Sequence, residues 1–298
     1  QQQHPSMAPP RRSPAAGRPR LVRASPVLKP KVKAQSRSRT PPQTWKADYP
    51  LLKGLRARRN APVDFVGCEK LADPRASKAD FEWQCLVAAM LSSLTRDQAN
   101  AEAMACLRIH GNSAKNIAAT PEAKLRKLII KVGFPKVKAK SLRASAKMCL
   151  EQHGGRIPRT IEGLMALPGV GPKMAYLVMT TALNQQPGIC VDTHVHRIAN
   201  MLRWVRTKTP EETRVALESW LPKKEWPDIN ILLVGVGQMQ QQAVQDLVEA
   251  GLALGSRRAP AALKLMKRMG VPLRRDRWPM LDAAAAKNPD LGKLLKRC

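Results

Sequence analysis

Carboxylates are scarce in this chain: 22 Asp and Glu stand against 52 Lys and Arg in 298 residues, a formal charge of +30. Folding needs no such excess, so the charge implies a polyanionic partner, and nucleic acid is the economical choice. Aromatic residues are also few, at 4%, which argues against the base-stacking platform used by single-strand binders. No apolar run approaches the roughly 20 residues needed to cross a bilayer. No basic amphipathic helix with a broad apolar face stands out either, so a membrane is not expected as a partner. The six cysteines, Cys68, Cys85, Cys106, Cys149, Cys190 and Cys298, are scattered without a CxxC pair. They read as free thiols in a reducing compartment, and their spacing offers no metal site. Histidine offers none, because His194 and His196 lie two residues apart and diverge on a helix.

The first 45 residues contain ten Lys or Arg and nine prolines, and the first carboxylate is Asp48. Such a segment cannot build a core, and residues 1–47 are expected to be a basic, proline-rich extended tail. From there the composition becomes ordinary, with 44% hydrophobic residues overall. Apolar residues recur at helical spacing from Phe81 to Leu94, and 98–109, 121–132 and 140–153 also read as helices, punctuated by Gly111, Gly133, Pro135 and Gly154/Gly155. Thr209-Pro210-Glu211-Glu212 starts a capped helix running to Trp220, and Ile229 to Gly237 continues in the same style. No strand is required, and the expected class is all-α.

The chemistry concentrates in LPGVGPKMAYLVMTTALNQQPGICVD, Leu167 to Asp192. Ile161, Leu164 and Leu167 mark a helix, Pro168 and Gly169 break it, and Gly171-Pro172 begins another. Without side chains at Gly169 and Gly171, this hairpin can present backbone N–H groups at a helix N-terminus, where a phosphate is stabilised. It can therefore hold a nucleic-acid strand without reading bases. Lys173 is the second residue of the new helix. The positive end of the helix dipole should lower its pKa towards that of a nucleophilic amine, the alternative being a surface lysine beside a phosphate. Asp192, just ahead of a helix from Thr193 to Leu202, suits an N-cap. His194 is close enough in sequence to line the same cleft, or to be an ordinary structural histidine.

LPGVGPKMA followed by VDTHVHRIAN resembles the helix-hairpin-helix (HhH-GPD) DNA glycosylases, and among them the endonuclease III group. The likeness runs from about Ala61 to Gln238 through APVD, MLSSLTRDQ, VGFPKVKAK and LLVGVGQ. It implies a six-helix bundle over residues 75–185 and a second helical domain from 48–74 and 186–254, with Lys173 and Asp192 facing each other across the groove between them. It further implies a bifunctional glycosylase/AP lyase acting on oxidised pyrimidines in damaged double-stranded DNA. Lys173 would attack the deoxyribose C1′ and form a Schiff base, while Asp192 would help activate the lysine and stabilise charge developing on the sugar. Gly169, Gly171 and His194 would contact the nucleic acid. Leu94 and Phe134 would fill the gap left by an extruded nucleotide, although Phe134 could equally be a core residue.

The sequence departs from the family in three places. Leu94 stands where the family usually has a gap-filling glutamine, so it can act as a wedge but cannot hydrogen-bond the orphaned base. The family's C-terminal iron-sulfur cysteines are missing: Gln241 holds the first position and no cysteine follows until Cys298, so no cofactor is expected. Residues 255–298 form a basic extension with twelve Lys or Arg against three Asp. Charge at both ends also suits a second class of function, a former glycosylase retained as a structural subunit that binds rRNA and ribosomal proteins in an organellar ribosome. The mitochondrial matrix is the expected compartment, with the nucleus as the alternative.

Overall fold

The computed structural model describes residues 40–274 and 276–296. The tail expected over residues 1–47 lies, through residue 39, outside the described residues. The described residues form sixteen helices and no strand, in keeping with the all-α expectation. The helices are α1 (Trp45–Leu55), α2 (Pro62–Val66), α3 (Lys78–Ser92), α4 (Asp97–His110), α5 (Ala114–Ala119), α6 (Glu122–Leu128), α7 (Pro135–Gln152) and α8 (Ile161–Ala166). They continue with α9 (Pro172–Thr181), α10 (Thr193–Met201), α11 (Pro210–Glu218), α12 (Trp226–Gln242), α13 (Val244–Leu252), α14 (Ala259–Arg268), α15 (Met280–Lys287) and α16 (Pro289–Leu295). No described helix is long and apolar enough to cross a membrane.

Local chemistry sets most of the helix boundaries. Ser77, Ser113, Thr160, Asp192, Thr209 and Asn288 each accept a backbone N–H with their side chains, starting α3, α5, α8, α10, α11 and α16. Each such cap satisfies one of the donors that a helix N-terminus leaves unpaired. Proline occupies the first turn of α7, α9 and α11, where its missing N–H costs nothing. Because Pro135 can begin a helix, α7 starts five residues ahead of the expected position 140. Ser113 starts the short α5, which had no counterpart in the apolar periodicity.

Two hydrophobic cores organise these helices. The first draws on Leu71 through Met179, with α3 at its centre: the run from Glu82 to Leu91 is buried on every side of the helix. The second combines Trp45 to Val63 with Ile189 to Leu295, and α12 runs through it, burying Leu232 to Met239. A helix that is apolar around its whole circumference must be enclosed by neighbours, and each core has one such helix. The basic C-terminal segment is part of the second core. Leu263, Met266, Met269, Leu281, Leu291 and Leu295 are all buried there, while Lys264, Lys267, Lys287 and Lys293 of α14 to α16 are exposed.

Candidate active site

Lys173 belongs to the first core and Asp192 to the second. Lys173 sits in the first turn of α9, behind the hairpin Leu167–Gly171, which the first core anchors through Leu164, Leu167 and Val170. The Ser145 hydroxyl on α7 donates to the carbonyl oxygen of Pro168 at 3.0 Å and fixes the hairpin from below. Gly169 has φ +81°, and a β-carbon there would meet Cβ and Oγ of Ser141 at 2.8 Å, so only glycine fits. At Gly171 a β-carbon would point into open space. No side chain caps α9, and its first main-chain bond runs from Ala175 N–H to the Gly171 carbonyl. The amides of Lys173 and Met174 therefore face outward, available to an anion.

Asp192 is delivered by the buried segment Ile189-Cys190-Val191. Glu218 on α11 accepts the Ile189 N–H at 2.8 Å, and Asn230 on α12 donates to the Cys190 carbonyl at 2.9 Å. One Asp192 oxygen accepts the Val195 N–H at 2.8 Å and caps α10, leaving the carboxylate with further acceptor capacity. Capping and an electrostatic role thus coexist in one side chain. The Cys190 thiol lies between the two partners, donating to the Lys173 carbonyl at 3.5 Å, and burial pushes it up to about 12, so it stays a neutral thiol.

The expected depression of the Lys173 pKa does not occur. Burial does pull the ammonium down, but the Asp192 carboxylate, with a smaller contribution from Asp97, outweighs it and leaves the pKa above its ordinary value. A full negative charge nearby exceeds the partial positive charge of a helix end. The resting state is therefore a protonated lysine held in the field of Asp192. Among the described residues, no hydrogen bond or ion pair ties up its ammonium. His194 lies over Gly237 of α12, where a β-carbon would collide with its ring. Burial lowers the His194 pKa against the opposing pull of Asp192, and Arg197 and Lys173 lower it further, which favours a neutral imidazole beside the pair.

Leu94 and Phe134 are not core residues. They are 83% and 64% exposed, and both hold left-handed backbones, with φ +49° and +54°. Large apolar side chains rarely adopt that conformation, and strain of this kind gathers at working sites. A cavity of about 220 Å³ opens between Phe134 and the hairpin, lined by Met90, Ser93, Val137, Lys138, Ser141 and Gly169 among others.

Sequence reasoning missed two groups here. Cys190 had been noted only as a scattered thiol, and nothing in its local pattern marks it as the neighbour of Lys173. Lys138 sits inside the lysine-rich VGFPKVKAK, where its burial, at 7% exposure, has no signature in composition. The residues that follow α12 do not fit an iron-sulfur cluster. The segment contains no thiol from Val191 to Arg297, and α13 and α14 fill the space with Leu247, Val248, Leu263 and Met266. The described residues also contain no group of three or more His, Cys, Asp or Glu able to hold a metal.

Comparison with known proteins places this geometry. The family described as HhH-GPD superfamily base excision DNA repair protein matches residues 87–223. Endonuclease III-like protein 1 of Bos taurus is 47% identical over 199 residues, covering 66% of this chain and 65% of that protein. Its Gallus gallus counterpart is 46% identical over 199 residues, covering 66% of this chain and 71% of that protein. A solved non-covalent endonuclease III–DNA complex is similar at 26% identity with a TM-score of 0.55, covering 65% of this chain and 85% of that one. A trapped endonuclease III–DNA covalent intermediate, an estranged-adenine complex, is similar at 25% identity and TM-score 0.54, covering 63% and 84%. Joined to a hairpin lysine that faces an aspartate from a second helical core, these similarities lead to one conclusion: the chain belongs to the endonuclease III-like proteins of the HhH-GPD superfamily.

Proposed function

We propose that this protein is a DNA glycosylase and AP lyase that removes oxidised pyrimidines from double-stranded DNA through Lys173. One observation carries the reading: the Lys173 ammonium, with no fixed partner among the described residues, sits in the field of Asp192 behind a hairpin whose amides are open to a phosphate. Lys173 must lose a proton before it can attack, and Asp192 is the carboxylate that acts on it most strongly. The neutral amine forms a bond to C1′ as the glycosidic bond breaks, and the departing base takes the bonding electron pair and a proton. Opening of the sugar ring gives a protonated Schiff base, which draws electrons from the C2′–H bond and expels the 3′ phosphate by β-elimination. Asp192 stabilises the cationic sugar while the glycosidic bond is breaking.

Gly169, Gly171 and the first amides of α9 would hold the strand, Leu94 and Phe134 would occupy the space of the extruded nucleotide, and His194 would line the cleft. The chain works without an iron-sulfur cluster in this reading, since the residues after α12 offer packing where a cluster would need thiolates. The relatives named above are repair proteins, and the ribosomal alternative draws no support from them. An organellar or nuclear compartment suits a DNA repair enzyme. The organellar reading is supported by Endonuclease III homolog 1, chloroplastic, of Arabidopsis thaliana, 42% identical over 234 residues, and the mitochondrial matrix is its finer form.

The test is borohydride trapping on duplex DNA containing an abasic site or an oxidised pyrimidine. The full-length protein should form a covalent complex, and Lys173→Gln should abolish it while retaining DNA affinity. Trapping that survives the substitution would remove Lys173 as the nucleophile.

A further inference from the structure

Lys138 is a buried cation with no carboxylate beside it among the described residues. Its ammonium donates to the carbonyls of Leu91 at 2.7 Å and Ser93 at 2.6 Å, and to the Thr95 hydroxyl at 2.8 Å. The peptide group before Leu94 and the hydroxyl of the residue after it are thereby held by one side chain, and all three ammonium protons are used. The Thr95 hydroxyl also accepts the Gly133 N–H at 3.0 Å and donates to the Ser93 carbonyl at 3.1 Å, tying in the residue before Phe134. A β-carbon on Gly133 would strike the Leu94 carbonyl oxygen, so the two loops touch backbone to backbone. The main-chain N–H of Lys138 donates to the Phe134 carbonyl at 3.1 Å. One residue thus bonds to the backbone next to Leu94 and to the backbone of Phe134.

The contact could be no more than a cap for α3, whose last carbonyls need donors. Such a cap would not explain why both loops carry large apolar residues in left-handed conformations, or why both side chains face solvent. Strained conformations persist only where surrounding bonds over-determine them, and the Lys138–Thr95 network supplies such bonds to both loops.

We propose that Lys138 is a positioning residue that locks Leu94 and Phe134 together as a rigid double wedge, so that duplex opening and nucleotide extrusion depend on it although it touches neither DNA nor Lys173. The proposal rests on the glycosylase reading for the substrate and on the observed network for the mechanism.

The experiment uses full-length protein and two DNA probes. In the first, a duplex carries 2-aminopurine opposite a tetrahydrofuran abasic analogue, and a rise in fluorescence reports unstacking by the wedges. In the second, a single-stranded oligonucleotide carries a true abasic site, where borohydride trapping needs no duplex opening. A displacement of about 1 Å can lower a positioned step about 100-fold. Lys138→Met should accordingly slow the fluorescence rise and duplex excision by about 10- to 100-fold, leave single-strand trapping at its wild-type rate, and lose little melting temperature. Lys138→Arg should restore most of the fluorescence rate.

If Lys138→Met does not fold, Thr95→Val removes the shared hydroxyl with little change of shape and should give the same split between duplex and single strand. Equal losses on both probes, in step with a lower melting temperature, would reduce Lys138 to a packing role. Unchanged wedge insertion in both variants would overturn the proposal, as would a wild-type protein that produces no fluorescence rise. A wild-type protein that inserts its wedges but never traps would instead overturn the glycosylase reading and leave the double wedge standing.

Discussion

Lys173 stands on a core made from one continuous run of chain, whereas Asp192 stands on a core assembled from two segments far apart in sequence. In the first, neighbouring helices are joined by short connections and started by local caps such as Ser77, Ser113 and Thr160. In the second, the closing bonds span long distances along the chain. Arg268 on α14 makes two bonds to the Asp48 carboxylate on α1, at 2.7 and 3.0 Å, and a third to the Leu202 carbonyl at 2.8 Å. The Trp204 indole donates to the same carboxylate at 3.1 Å. Gln238 links Val63 to Asp97. Apolar packing alone is non-directional, so fixing one arrangement of separated segments calls for bonds with defined geometry. The reactive pair is therefore aligned by two kinds of scaffold, and each can be perturbed separately.

The largest effect should come from Asp192→Asn. Asparagine caps a helix about as well as aspartate, so α10 and the melting temperature should survive. The charge that acts on Lys173 and on the sugar cation would be gone, and turnover should fall by about 100- to 10,000-fold. The substitution should also let the Lys173 pKa fall, since Asp192 is the strongest influence raising it. The pH dependence of trapping at low residual activity would then move to lower pH. Full activity in this variant would leave Asp192 with its capping role only.

The long-range knot offers the next test. Arg268→Ala leaves the Asp48 carboxylate, 4% exposed as a residue, with the Trp204 indole as its remaining hydrogen-bond partner among the described residues. Breaking a fully buried pair costs about 3 to 5 kcal/mol. Arg268 is 31% exposed at its side chain, and that solvent access lowers the expectation to roughly 2 kcal/mol. A denaturation midpoint measured by Trp fluorescence would read it directly, because Trp45, Trp204 and Trp220 stack around the knot. If the two scaffolds differ as argued, the second core should lose protection from hydrogen exchange before α3 to α9 do. Uniform loss over both cores would erase the distinction.

The same contrast governs what the sequence discloses. The hairpin, its lysine and the later aspartate are legible because they lie within one stretch, and glycine at 169 is demanded by a turn that local rules recognise. The caps at Asp192 and Thr209 are legible for the same reason. The field at Lys173 was misread because a dipole argument uses only the helix that carries the lysine, while the carboxylate that decides the sign arrives from the other core. The Lys138 network and the Asp48–Arg268 knot were invisible because each joins residues whose spacing follows no helical period. The C-terminal lysines and arginines suggested a solvated extension, yet the leucines and methionines between them fill a core.

Lys138 gives a smaller effect with a definite sign. Burial depresses its pKa to about 8, while in the unfolded chain a lysine titrates near about 10.4. Between those values the unfolded state binds more protons than the folded one, so this residue adds stability as pH rises from about 8 to about 10. Burial raises the thiols of Cys68, Cys85, Cys149 and Cys190, which works in the opposite direction at alkaline pH. The informative quantity is therefore the difference between wild type and Lys138→Met, followed from pH 7 to 9.5. The wild type should gain on the variant across that range by about 2 kcal/mol before solvent screening and roughly 1 kcal/mol after it, read as a shift in denaturation midpoint. A difference that stays flat would mean that Lys138 is more solvated than its contacts imply.

The smallest expected effect is none at all, and it asks whether the second core needs anything beyond its own side chains. A four-thiolate cluster requires cysteines brought together in space, but after Cys190 the chain has only Cys298. The space that follows α12 is occupied by Leu247 and Val248 of α13, packed near Leu263 and Met266 of α14. Gly251 meets the Met266 side chain so closely that a β-carbon there would force it to move. Gln240 donates to the Met269 carbonyl and joins the end of α12 to the end of α14. These contacts already connect the helices that a metal would otherwise bridge. Protein purified without oxygen should show no broad visible absorption, and incubation with an iron chelator should leave its melting temperature and its trapping rate unchanged. Stoichiometric iron whose removal lowers either quantity would show that the second core is held by a metal and that its helices after α12 are not sufficient.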